Sequence, residues 1–224
     1  MKTLFTLLLI IFTLSLTPSA YSMIVINEFL ADPTAGTGGD ANRDGIRHSY
    51  DDEFIELLNV ESNAVDLSLW TISDNTAIRH KFTTGTSIAQ NERLVIFGGG
   101  DLSRFPFEAV TASSGSLHLT NSGDKIVLKN TMYEIMDSVI FGNEADRDQS
   151  LTRFPEGTGS FRLHSEVSSK KFLFSPGTNR EGKDKDTGST PAVPEPSTDI
   201  LLFLGWIAFL KIHFLTIFSK QRLN

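Results

Sequence analysis

The residues best placed by type and spacing to do chemistry are Asp40-Ala41-Asn42-Arg43-Asp44-Gly45. Calcium is a hard cation that takes oxygen ligands. A loop of the EF-hand type supplies them from alternate positions, with a glycine for the sharp turn. Counted from Asp40 as the first position, Ile46 offers its carbonyl at the seventh, His48 falls at the ninth and Asp51 at the twelfth. Aspartate at the last position has a shorter arm than the usual glutamate, and Asp52 and Glu53 follow as substitutes. The candidate calcium ligands are therefore Asp40, Asn42, Asp44, Ile46 and Asp51. The same residues also read as an ion-free surface loop, since Asp and Asn side chains bond readily to the backbone two residues on.

No catalytic constellation accompanies this loop. Glu28 and Glu56 have the look of paired carboxylates, but both stand among apolar residues in strand-like runs, which favours structural hydrogen bonds over acid–base work. His48, His80, His118 and His164 never fall at metal-ligand spacing. Neither a nucleophile elbow, a P-loop nor a dinucleotide fingerprint occurs, and Gly98-Gly99-Gly100 is followed by no helical pattern that would cradle a phosphate. Trp70 reads as core packing. We expect no enzyme and no cofactor other than the candidate calcium.

These residues need a scaffold, and the chain supplies a β-rich one. Its 224 residues are 40% hydrophobic and 21% charged, with no cysteine, so disulfide scaffolds and cysteine-based metal modules are excluded. Residues 23–199 hold 16 basic and 27 acidic side chains, a formal charge of −11. Such a body repels phosphate backbones, and no nucleic-acid partner is expected. Short apolar or alternating runs recur at Ile24–Leu30, Glu53–Asn59, Val65–Ile72, Ile78–Phe82, Arg93–Phe97, Leu117–Thr120, Lys125–Asn130, Tyr133–Phe141 and Leu151–Phe154. Gly, Asn, Asp and Pro separate them, as in a two-sheet sandwich. Asn121–Asp124 and Arg153–Gly157 read as turns.

The two ends read as address labels. Met1-Lys2, the apolar run from Leu4 to Leu16 and the small residues Ala20 and Ser22 make residues 1–22 a secretory signal peptide. The folded body is expected over 23–176. Residues 177–192, almost free of large apolar side chains, are expected to be a flexible linker. Residues 193–224 hold Pro194-Glu195-Pro196, an apolar run from Ile200 to Phe218 that reads as a transmembrane helix, and a basic end.

That last segment resembles the PEP-CTERM sorting signal of Gram-negative bacteria. The resemblance implies an exosortase-type enzyme as partner, acting at Pro194, Glu195 and Pro196, and residence at the cell surface or outside it. A plain C-terminal anchor is the alternative reading. The body carries a second resemblance, in Ile24–Leu30, Asp52–Asn59, Val65–Asp74, Arg93–Phe97, Leu119–Leu128 and the closing Ser175–Asn179. In that order these residues resemble the lamin-tail domain in its bacterial secreted form, with Leu69 where glycine commonly precedes the tryptophan. The resemblance implies an all-β, immunoglobulin-like β-sandwich. The function expected is that of a non-enzymatic, exported surface module associated with cell-envelope components or extracellular polysaccharide. The alternative is an accessory or targeting module of a secreted hydrolase system.

Overall fold

In the computed structural model, which describes residues 24–183, the strands at the centre are those whose every side chain is enclosed. They are β1 (Ile24–Leu30), β2 (Phe54–Asn59) and β7 (Arg93–Phe97). Apolar residues alone would line one face of each, so burial of both faces requires a layer on either side. The inner layer contains β4 (Thr71–Ser73), β5 (Ile78–Lys81), β9 (Asp124–Lys129) and β10 (Ile135–Phe141). These form a four-stranded sheet in the order β10-β9-β4-β5.

The large sheet is completed by β8 (Ala109–Thr111), β11 (Leu151–Phe154) and β12 (Ser160–Leu163), in the six-stranded order β12-β11-β1-β2-β7-β8. All its pairings are antiparallel except β7 with β8, which runs parallel. β3 (Val65–Asp66) and β6 (Ser87–Ile88) pair separately. Between the sheets, Ile24, Ile26, Ile55, Leu57, Leu94 and Ile96 pack against Ile72, Ile126, Leu128 and Phe141, with Trp70 in the same core. The expectation of a mostly-β sandwich holds, and Trp70 is a core residue.

On the outer face of the large sheet a second apolar cluster forms around Phe54, Val95, Phe97 and Phe105, with Phe107 and Phe174 packed against it. Glu28, Glu56 and Arg93 are buried as well. Glu28 pairs with Glu56 across β1 and β2. Residues 172–183 cover part of this face. The body therefore extends past the boundary expected at 176. Ser175 to Asn179 are buried, Gly182 N–H donates to the Asn179 carbonyl, and Asn179 Oδ1 accepts from Glu181 and Lys183. Composition suggested a linker because the segment has few apolar side chains; its backbone amides, rather than hydrophobic groups, fasten it.

Two strand expectations change. Val65–Ile72 is split into β3 and β4 by a corner where Leu69 takes φ 64° and Trp70 N–H donates to the Leu67 carbonyl. Leu117–Thr120 is irregular. Its amides bond to carboxylates instead of a strand, and His118 sits at φ 51°. β6, β8, β12 and the short helix α1 (His164–Val167) carry too little pattern to be read in advance. The expected signal peptide (1–22), the rest of the expected linker (184–192), Pro194-Glu195-Pro196 and the expected membrane helix lie outside the described residues. Among the described residues no helix is long and apolar enough to cross a membrane.

Candidate functional site

The loop between β1 and β2 brings Asp40, Asn42 and Asp44 together. Asp40 Oδ2 accepts from Gly45 N–H at 3.0 Å, Asn42 Oδ1 from Asp44 N–H at 3.0 Å, and Asp44 Oδ1 from Ile46 N–H at 2.7 Å. Gly45 turns the chain at φ 93°. Asp40 Oδ1 is buried and has no hydrogen-bond partner among the described residues. A neighbouring strand end closes in so tightly that a Cβ on Gly100 would lie 2.1 Å from Asn42 Nδ2 and 2.8 Å from Asp44 Oδ2. The Asp40 and Asp44 carboxylates and the Asn42 amide are oxygen donors of the kind calcium takes.

The remaining expected ligands lie differently. The Ile46 side chain is exposed, and Asp51 Oδ2 faces His48 Nδ1 at 3.4 Å. Asp52 is the loop's anchor. Its Oδ1 accepts from Ala41 and Asn42 N–H at 2.7 and 3.1 Å, and its Oδ2 accepts from His48 N–H at 2.6 Å. Burial pushes the Asp52 carboxyl above its ordinary range against the pull of these donors. Among the described residues no group of three or more His, Asp or Glu side chains is arranged to hold a metal.

Beside this loop opens a polar cleft of about 560 Å³. Four segments far apart in sequence supply its walls: residues 31–33, 47–53, 74–79 and 118–124. Asp74 accepts from Thr76 and Ala77 N–H at 2.6 and 2.7 Å and from Arg79 Nε at 2.6 Å. Burial opposes its charge, but these donors hold its carboxyl below the usual range. Asp124 accepts from Thr120 and Lys125 N–H, and Asp32 from Asn121 Nδ2 and Asp148 N–H. Arg47 is held by the Thr34 and Pro33 carbonyls. Glu53, at the floor, accepts from Leu119 N–H at 3.1 Å, and burial pushes its carboxyl up to about 8. The rings of Tyr50 and His118 meet at 5.6 Å, both exposed.

The buried outer face of the large sheet contains more polar groups, all turned inward. Glu28 accepts from Ser150 Oγ, Ser175 N–H and Ser175 Oγ at 2.7–2.8 Å. Ser175 Oγ also lies 2.9 Å from His164 Nε2, whose ring faces the Phe172 carbonyl through Nδ1 at 3.0 Å. Glu56 accepts from Asn27 Nδ2 at 2.9 Å and Gly177 N–H at 2.8 Å, with Arg93 Nε at 3.3 Å. Burial pushes the Glu56 carboxyl upward, against the pull of Arg93. Burial also disfavours the Arg93 charge, but Glu56 and Glu156 outweigh it and keep the guanidinium firmly protonated. Serine, histidine and glutamate thus stand together without an open face. Their bonds fasten the terminal strap to the sheet.

Sequence reading singles out the 40–51 loop because its Asp and Asn residues are close in sequence. It misses the cleft because Tyr50, Asp74, Arg79, His118 and Asn121 are related only through the fold. The one local sign was the unusual density of Asp and Asn at the ends of strand-like runs.

The fold is a mostly-β sandwich with polar loops gathered at one end. The lamin tail domain model matches residues 17–143, and the chain belongs to that family. The match ends after β10, so β11, β12 and the strap that seals the outer face lie beyond it. No curated protein matches the chain.

Proposed function

We propose that this chain is a non-enzymatic binding module displayed outside a Gram-negative cell, associated with an envelope or extracellular polysaccharide component. The observation supporting it is the contrast between two sets of polar groups. Those on the large sheet are enclosed and bonded to one another, whereas the cleft beside the 40–52 loop is open and lined with donors and acceptors. Residues 1–22 direct export. Pro194-Glu195-Pro196, with the apolar run and basic end that follow, is the sorting signal for an exosortase-type enzyme and a transient membrane anchor. Mass spectrometry of surface-shaved cells tests this: the expected protein lacks the leader and ends near Pro196. An intact C-terminus at Asn224 in all surface material would leave a plain anchor. Absence from the surface would remove the reading altogether.

Calcium in the 40–51 loop is a second reading, favoured by the unpartnered Asp40 Oδ1. Asp40, Asn42 and Asp44 would hold the ion, which would brace the loop that contributes Arg47, Ser49 and Tyr50 to the cleft wall.

A further inference from the structure

The cleft has a chemistry that narrows its ligand. Its volume of about 560 Å³ falls inside the usual range for small-molecule sites, about 300–1,000 Å³. Few apolar side chains line it, chiefly Ala31, Pro33 and Leu119, so a greasy ligand would leave polar walls unpaired. Its charges nearly cancel. Arg47 and Arg79 face Asp32, Asp74 and Asp124, while burial keeps a proton on Glu53 at neutral pH. A strongly anionic or cationic ligand therefore gains little.

What the walls offer is fixed hydrogen bonding. Arg79 is held in place by Asp74 and by Thr76 Oγ1, and its Nη1 makes no hydrogen bond among the described residues. Each Asp32 oxygen accepts one bond and keeps further lone-pair capacity. Groups already positioned by the protein lose little entropy on binding. At the rim, Tyr50 and His118 present exposed ring surface that is apolar on its face and polar at its tip. Dense donors and acceptors around a space whose charges nearly cancel, edged by aromatic rings, match a pyranose ring: hydroxyls around its equator and C–H groups on its faces.

We infer that this cleft binds a neutral, hydroxyl-rich saccharide unit, with Tyr50 and His118 as its ring platform and Arg79, Asn121 and Asp32 as its polar contacts. The inference rests on the reading of the chain as a surface binding module and names the class of unit that module takes.

The test titrates the full chain with methyl glucoside, methyl galactoside, methyl mannoside and N-acetylglucosamine, read by saturation-transfer NMR and calorimetry. Glucuronate and glucosamine serve as charged counterparts. Saturable binding of at least one neutral sugar is expected, with both charged sugars weaker. Tyr50→Ala should weaken it roughly tenfold, the scale of one aromatic contact. Tyr133→Ala, which removes a still more exposed aromatic from the β9–β10 hairpin, should leave it unchanged. No saturable binding by any neutral sugar would overturn the inference. So would charged sugars binding as tightly, or Tyr50→Ala binding like wild type. Surface shaving of cells is scored separately: a chain found on the surface with an unresponsive cleft rejects the saccharide alone, whereas a chain absent from the surface rejects the module reading.

Discussion

Gly177 separates a tether from a structural strap. It takes φ 79°, where an L-residue costs roughly 1–2 kcal/mol. Alanine would also restrict the unfolded chain, which offsets about 0.4–1 kcal/mol of that. An added Cβ would lie 2.5 Å from Phe107 Cδ2 and 2.6 Å from its Cβ, so something must move. If the ring moves, overpacking costs about 1–3 kcal/mol. If the strap moves, Glu56 loses the Gly177 N–H at 2.8 Å, and a hydrogen bond to a charged group contributes about 1.5–3 kcal/mol. Only one route need be taken, so Gly177→Ala should destabilise by about 2–4 kcal/mol, a drop of roughly 4–16 °C in Tm for a body of this size.

Gly85→Ala supplies the control. Gly85 has φ 87° and nothing within 4 Å of the added Cβ, so its cost is the backbone penalty alone, about 1 kcal/mol or less after the unfolded-state offset. Urea and thermal melts of both variants give the comparison, and Phe107→Leu combined with Gly177→Ala should recover part of the loss through coupling. Equal stabilities for Gly177→Ala and Gly85→Ala, with strict additivity in the double variant, would refute the strap and restore the linker.

Four further outcomes follow from the polar groups. With calcium bound only to the folded loop at a Kd of about 0.1–1 mM, 10 mM calcium should add roughly 1.4–2.7 kcal/mol. Asp40→Ala with Asp44→Ala should abolish that rise, and equal melting of wild type in calcium and chelator would leave an ion-free loop. Glu53 holds its proton to about 8 when folded against an ordinary 4.5, so its contribution to stability falls as pH rises through that window. Glu53→Gln should flatten the decline, visible as a gain in Tm at pH 8.5 and little change at pH 4.5. Burial lowers His80 to about 4, so its contribution is lost as pH falls from 6.5 towards 4, and NMR titration should find the ring neutral at pH 5.5. Arg93→Met leaves Glu56 and Glu156 buried without their shared cation and should cost about 3–5 kcal/mol at pH 7, with partial recovery on adding Glu56→Gln; an unchanged urea midpoint would show that the pair contributes nothing.

Local pattern determined the strands that are regular and the loop whose Asp and Asn residues are neighbours. Arg93–Phe97 and Leu151–Phe154 are strands to the residue, because hydrophobic spacing and turn residues act over a few positions. Asp40, Asn42 and Asp44 each accept from amides of the same glycine-turned loop. Tertiary structure alone decided the rest. Ser175 to Asn179 look like tether by composition, yet Glu28 and Glu56, more than a hundred residues away, bind the amides of Ser175 and Gly177. Leu117–Thr120 looks like a strand, yet Glu53 and Asp124 take its amides. Side-chain acceptors brought from distant strands can replace a ladder partner, and no local spacing encodes which amide they will meet. The cleft is the same case: Tyr50, Arg79 and His118 line one space only because two sheets stack and their loops gather at one end.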